Sequence, residues 1–329
     1  MRSPSSSADV PVGRLHRPQG RLAYTVRGTG PLVVCSPGMG DLRSTFDTLA
    51  QTLVDAGYRV AQADLRGHGD SDTTFTDHGD VETAADLLAL VEHLGGPAVL
   101  VGSSMSAGAA LWAAAESTDR VAGVVLLGPF VRDGAASRAV ASIKRTLIRA
   151  GLLRPWGPAV WAAAYRSFAV GRDRRSAAER AGAPAVAGRI PPELEAHIES
   201  VRAALREPAR LRSLRRLVAR LHHDVVEARL DEVRAPALVL MGEQDPDFAD
   251  PAAEVAYIEQ RLTGAGATVT AVLVPECGHY PHSQRPDVAG PRTLAFLTAL
   301  PRAGEVWASA PGSHDSVAAA TAEEVRTDA

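Results

Sequence analysis

Gly102-Ser103-Ser104-Met105-Ser106-Ala107-Gly108 follows the apolar run Ala98-Val99-Leu100-Val101 and opens the small-residue run Ala109-Ala110-Leu111-Trp112-Ala113-Ala114-Ala115. A strand that turns sharply into a helix, with a serine at its tip, is the nucleophile elbow. The tight turn needs a glycine two residues before the serine and something small two residues after it, so that backbone and neighbours can approach. Here those positions are Gly102 and Ser106, and G-x-S-x-G is met as G-x-S-x-S. Ser104 is the expected nucleophile. Ser106 is the alternative, but it lies half a turn into the helix and points back toward the body. Ser103 has branched Val101 behind it. The plainest alternative is a helix N-cap serine with no chemistry.

An elbow alone is weak evidence, and its ordered company strengthens it. Leu32-Val33-Val34-Cys35-Ser36 reads as a strand, followed by the tight loop Pro37-Gly38-Met39-Gly40. Ala61-Gln62-Ala63 runs into Asp64-Leu65-Arg66-Gly67-His68-Gly69-Asp70-Ser71. Far downstream, Ala237–Asp245 reads as a strand ending in an acid, and Ala271–His279 as a strand ending in a histidine. The order serine, aspartate, histidine distinguishes one triad fold from others that arrange the same three residues differently.

These motifs resemble the α/β-hydrolase superfamily, in its single-domain, cap-bearing branch, over residues 20–300. The D-x-R-G-H-G-x-S segment at Asp64–Ser71 is a marker of that branch. The resemblance implies that Asp245 is the acid and orients His279, the general base. Asp247, Asp250 and Asp133 are rivals for the acid, and His282 is a decoy for the base. It implies an oxyanion hole of two backbone amides: Met105, after the nucleophile, and Met39, after Gly38. Relatives often carry His-Gly where this chain has Pro37-Gly38; the donor is main chain, so the departure costs little. An aspartate at the elbow, which dehalogenases and epoxide hydrolases of the superfamily need, is missing here. His68 reads as a structural part of its turn, and His222-His223-Asp224 as a solvated surface.

The chain has 329 residues, 46% of them hydrophobic, and a net charge of −3, which names no partner. Two cysteines, Cys35 and Cys277, are too few for a disulfide framework. They read as small buried hydrophobes. The polar N-terminus lacks an apolar signal segment, and no run approaches the ~18 apolar residues of a membrane span. A cytoplasmic protein that binds neither membrane nor nucleic acid is expected. Residues 1–18 and 302–329, rich in Ser, Ala, Pro and Gly, read as disordered tails.

Between the tails, strands alternate with amphipathic helices: Phe46, Leu49, Ala50 and Leu53 share one helical face, and Ala84, Leu87, Leu88 and Val91 another. This predicts an α/β fold, a mostly parallel doubly wound sheet whose ligands bind at the strands' carboxyl ends. After the strand ending near Leu127, about a hundred residues show only helical periodicity. An all-helical cap is expected over 131–231, inserted into a core of 19–130 and 232–301. A cap excludes water and shapes the pocket. Trp156, Trp161 and Tyr165, with Gly38, are the candidate substrate contacts; for the aromatics the plainer reading is packing of cap on core.

The residues predict cleavage of an ester-type bond (carboxyl ester, thioester or lactone) of a small molecule through an acyl-enzyme, without metal or organic cofactor. Haloperoxidase, perhydrolase or C–C hydrolase chemistry on the same triad, and a catalytically slow ligand-binding protein, are the alternatives. Residues 138–221 carry 17 Arg and one Lys against six carboxylates, a net +12. A solvated, self-pairing face is the plain reading of that charge; steering of anionic substrates is the sharper one. Of the 35 basic residues in the chain, 34 are Arg, which suggests a coding bias.

Overall fold

The computed structural model describes residues 10–133, 138–172 and 190–300. The expected tails at 1–9 and 302–329 lie outside them. Eight strands form one sheet in the order β1-β2-β4-β3-β5-β6-β7-β8. They are β1 (Val12–Arg17), β2 (Gly20–Arg27), β3 (Leu32–Ser36), β4 (Arg59–Ala63), β5 (Ala98–Ser103), β6 (Val121–Leu127), β7 (Ala237–Gly242) and β8 (Val269–Val274). Only β2 runs against the rest, pairing antiparallel with both β1 and β4; β4 through β8 pair in parallel.

Strand β1 corrects the reading of 1–18 as a tail. Leu15 is buried opposite Leu22, while Val12 and the polar residues around Leu15 stay largely exposed. An edge strand with one buried side chain carries too little periodicity to be recognised in sequence.

The central strands are buried on both faces, which is why β3, β5 and β7 read as apolar runs. Alternate residues divide between two cores. Val34, Leu100, Leu126 and Val239 pack with α2 (Asp80–His93), α3 (Met105–Glu116) and α9 (Pro251–Gly264). Val33, Val101, Val125 and Leu240 pack with α1 (Asp47–Asp55) and α10 (Pro286–Ala299). The period of two sends neighbours to opposite faces.

Among the described residues, only helices lie between β6 and β7: α4 (Arg138–Gly151), α5 (Gly157–Val170), α6 (Pro192–Ala204), α7 (Pro208–Arg220) and the short α8 (Asp224–Glu227). Helices α5–α7 have a core of their own, built on Trp161, Tyr165, Ile198, Val201, Leu211 and Leu214. By contrast Val226 of α8, with Leu230 and Val233, packs into the sheet's core. The segment expected as cap up to 231 therefore rejoins the sheet layer earlier, near 224. No helix among the described residues is long and apolar enough to cross a membrane.

Candidate active site

Ser104 stands between β5 and α3 with φ 57° and ψ −124°, a conformation that non-glycine residues avoid. Such strain costs of order 1–3 kcal/mol and persists only where neighbours over-determine it. They do so here. The Ser104 amide donates to the Leu127 carbonyl at 2.8 Å, and the Phe130 amide donates to the Ser104 carbonyl at 3.3 Å. A Cβ on Gly102 would fall 2.3 Å from the Ser106 carbonyl oxygen, and one on Gly38 would fall 2.9 Å from the Ser104 Cβ. Both positions need glycine for close approach.

The rival serines take other roles. The Ser106 hydroxyl is fully buried, donates to the Pro37 carbonyl at 2.6 Å and accepts from Ser36 Oγ at 3.1 Å. It ties the elbow to the loop that carries Gly38. Ser103 is fully buried.

His279 sits on the loop after β8. Its Nδ1 lies 2.7 Å from Asp245 Oδ2, and both side chains are buried. Nδ1–H donating to the carboxylate leaves Nε2 free to accept a proton. Burial pushes the imidazole pKa down, but the charge and hydrogen bond of Asp245, with Asp247 and Asp41 beyond, raise it to about 9. Asp247 Oδ2 is 3.7 Å from the same nitrogen, and the Asp247 amide donates to Asp245 Oδ1 at 3.0 Å.

The remaining rivals are occupied elsewhere. Asp250 caps α9 by accepting from the Ala253 amide. Asp133 accepts from the His223 amide. His282 is stacked on Phe46 and bound to Thr45, its pKa pushed down to about 3 by burial.

Phe130 links the two halves of the site. It holds the Ser104 carbonyl from one side, and its ring lies 5.7 Å from the His279 ring. On its other face it stacks on His223, whose Nδ1 is 2.9 Å from Asp80. His223 is thus buried, which corrects its reading as solvated surface, while His222 and Asp224 on either side are exposed. Among the described residues no hydrogen bond joins Ser104 to His279, and such bonds commonly tighten only with substrate bound.

Among the described residues, neither the Met39 nor the Met105 amide donates to a loop or cap hydrogen bond. The loop bearing Met39 is fixed by His68. Nδ1 of His68 faces the Arg66 carbonyl at 2.9 Å, and Nε2 accepts from the Gly40 amide at 3.1 Å. Burial lowers its pKa, in keeping with a neutral acceptor. Arg66 is held by a bidentate pair with Asp86, at 2.6 and 2.8 Å.

Helix α5 closes over this corner with three residues of one face. Trp161 Nε1 donates to the Gly40 carbonyl at 2.8 Å. Tyr165 donates to Asp41 Oδ2 at 3.0 Å and stacks on Tyr280, centroids 4.2 Å apart. The Phe168 carbonyl accepts from the His279 amide at 3.0 Å. Trp161 and Tyr165 are therefore buried in the seam, while Trp156 is half-exposed at the helix start.

Asp41 was not legible as a site residue. It is buried, and its Oδ1 lies 2.6 Å from His197 Nε2 on α6. Burial opposes the charge on both, but each stabilises the other: the Asp41 pKa is lowered and that of His197 raised. The two are 156 residues apart, and no spacing signal connects them.

A cleft of about 370 Å³ lies beside the loop, lined by Arg27, Arg43, Asp64, Asp70 and Arg210 among others. Neither Ser104 nor His279 lines it, and its cations are matched: Arg43 by Asp64 and Asp70, Arg210 by Glu207. It is a charged seam between helices α6 and α7 and the strands and loops of the sheet layer. Asp245, Asp247 and His279 bring three ligand-type atoms within 4.8 Å of one another, and Asp245 and His279 pair with each other. Cys35 and Cys277 are buried and burial raises both thiol pKa values, so neither is a reactive thiolate.

The alpha/beta hydrolase family profile matches residues 33–289, a span that holds Ser104, Asp245 and His279. The chain belongs to the alpha/beta hydrolase family. Solved structures similar to this α/β hydrolase include a thermophilic esterase from Thermogutta terrifontis, at 23% identity and TM-score 0.65 over 88% of this chain and 99% of the other. A bromoperoxidase from Bacillus anthracis matches at 19% identity and TM-score 0.70, over 88% and 100%. At these identities the likeness shows the fold alone. Among curated relatives, a 2-(acetamidomethylene)succinate hydrolase of Mesorhizobium japonicum is 36% identical over 111 residues, 33% of this chain and 40% of that protein. A pimeloyl-[acyl-carrier protein] methyl ester esterase of Neisseria meningitidis is 37% identical over 99 residues, 30% and 37%. The chain thus spans about two fifths of the length of the curated relatives it matches.

Proposed function

We propose that this α/β hydrolase is a serine hydrolase that cleaves an ester-type bond of a small molecule through an acyl-enzyme. The observation that carries the reading is a strained Ser104 and a buried His279–Asp245 pair at 2.7 Å, with Phe130 contacting both Ser104 and His279. Strain of this kind marks functional turns, and a buried imidazole with one nitrogen committed to a carboxylate is a general base held in one tautomer.

In the proposed reaction Ser104 Oγ adds to the carbonyl carbon and its proton passes to His279 Nε2. The carbonyl oxygen takes the negative charge and accepts from the Met39 and Met105 amides. One such donor is typically worth about 3 kcal/mol of barrier. The imidazolium then protonates the leaving alcohol or thiol, and the C–O or C–S bond breaks. Water, deprotonated by His279, repeats the addition and releases the acid. Asp245 stays ionised throughout and stabilises the imidazolium. Helices α4–α7 act as a cap spanning roughly 138–221, and Gly38, abutting Ser104, shapes the floor of the acyl site.

A fluorophosphonate should label the protein stoichiometrically at Ser104, and the label should vanish in Ser104→Ala. Rates across aryl esters of rising chain length, lactones and acyl-thioesters then define the substrate. Stoichiometric labelling at another serine would refute the assignment.

A further inference from the structure

The cap carries an apolar stripe on its outer side. On α4, Ile143 and Leu147 stand one turn apart and are 61% and 67% exposed. The stripe continues through Gly151, whose Cβ position lies 3.5 Å from Val160 Cγ1. Val160 in turn shares a face of α5 with Trp156, four residues earlier and 53% exposed. Leu153, in the turn between the helices, is exposed as well. Among the described residues nothing covers these five side chains. Contiguous apolar surface of this kind marks a place of contact.

Its surroundings are cationic. No Asp or Glu occurs from residue 138 to 172, and none occurs in α7, which packs beside α4. Helices α4 and α7 together hold eight Arg and one Lys. Elsewhere arginines are mostly matched, as Arg17, Arg66, Arg132 and Arg261 are by carboxylates. Arg145, Arg149, Arg154, Arg212 and Arg215, around the stripe, take part in no ion pair among the described residues. Arg215 instead donates to the Arg149 carbonyl, and Arg145 to that of Leu221.

We propose that this face docks the protein on an anionic lipid surface. The combination of aliphatic and Trp side chains on a projecting face, with unpaired arginines at its margins, is that of an interfacial helix. Charge decides among occupants. A second copy would set one cationic face against another. A folded acidic protein would need pockets to receive side chains that stand proud of the cap, whereas a bilayer interface needs none. The inference is independent of the proposed hydrolytic chemistry. Helix α5 joins the two regions: it presents Trp156 and Val160 outward and holds Gly40, Asp41 and His279 with its other face.

The test is co-sedimentation of the full chain with vesicles of phosphatidylcholine, alone or mixed with phosphatidylglycerol, at low and high salt. Binding should be confined to the anionic vesicles and should weaken with salt. Arg149→Ser, Arg154→Ser and Arg212→Ser should each lower the partition coefficient about fivefold. Ile143→Ser with Leu147→Ser should lower it at least as much and abolish what survives high salt. These positions are exposed, so circular dichroism and the rate on a soluble short ester should stay at wild-type values. Equal binding to both vesicle types, or binding untouched by the substitutions, overturns the proposal. So does a salt-sensitive complex with an acidic carrier protein or a DNA duplex but none with vesicles.

Discussion

Replacing Asp245 by Asn tests the site through its proton, and the structure sets the size of the effect. His279 is held at about 9, against an ordinary 6.5. At 1.36 kcal/mol per pH unit, that is about 3 kcal/mol in favour of the imidazolium. The base must be neutral to accept from Ser104, so kcat/KM should rise tenfold per pH unit and level off above pH 9. At pH 7 roughly 1% of the enzyme carries the neutral base. Asn removes the charge that opposes burial most strongly and leaves Asp247, 3.7 Å away, to act alone. The limb should then move to pH 6.5 or below. On the plateau the variant should be slower by about 10⁴, because the imidazole loses its fixed tautomer and its stabilised cation. At pH 7 the loss should shrink to about 10², since the wild type is then mostly protonated. The assay is kcat/KM for a neutral aryl ester from about pH 5 to pH 10, with both proteins in one buffer series. A wild-type limb near 6.5, or a limb that Asp245→Asn leaves in place, would refute the reasoning.

Ser106→Ala should keep fluorophosphonate labelling at Ser104 while lowering unfolding free energy by about 1–3 kcal/mol, because the Ser36 hydroxyl and the Pro37 carbonyl lose a buried partner; abolished labelling would contradict it. Asp133→Asn should retain most of kcat, since Asp133 faces the His223 amide; a loss matching that of Asp245→Asn would move the acid. His197→Asn removes one partner of a buried pair and should cost about 3 kcal/mol. The His197 pKa is raised and that of Asp41 lowered. The pair therefore contributes fully from about pH 4 to pH 6.5, loses strength as pH rises through the His197 value, and loses it again as pH falls through that of Asp41. Thermal melts of wild type and variant across pH should differ most in that window, and a constant difference would speak against an ionised pair.

The sharp turn at Ser104 and the pairing of Asp245 with His279 at strand ends were legible because each rests on local chemistry. Gly102 and the small residues after Ser104 can be read directly, and the apolar runs of β3, β5 and β7 announce strands buried on both faces. Contacts made by the cap were not legible. Asp41 follows a glycine loop and looks like any turn aspartate; only the fold brings it to His197 and Tyr165. His223 looked like surface because its neighbours are polar, and only the packing of Phe130 and Asp80 against it shows otherwise. Trp161 and Tyr165 could be read as packing residues, but not that they would reach Gly40 and Asp41.

That face of α5 shows how a helix from a distant stretch of sequence can hold a candidate site it does not itself carry. A helix ends with carbonyls that lack intrahelical partners. In α5 two of them are taken up by the site: Phe168 by the His279 amide, and Ala169 by the Gln284 side chain at 2.6 Å. A Cβ on Gly278 would lie 2.4 Å from the Phe168 carbonyl oxygen, so glycine before the histidine is what lets the two segments meet. One turn earlier, Tyr165 reaches Asp41, and one turn before that, Trp161 reaches Gly40. Gly40 has φ +71°, and a Cβ there would collide with the Trp161 ring at 2.3 Å. One helix thus fixes both the loop that bears Met39 and the loop that bears His279. A shift of α5 moves both at once, and in the proposed reaction the two converge on one carbonyl, so small displacements of α5 should be costly to catalysis.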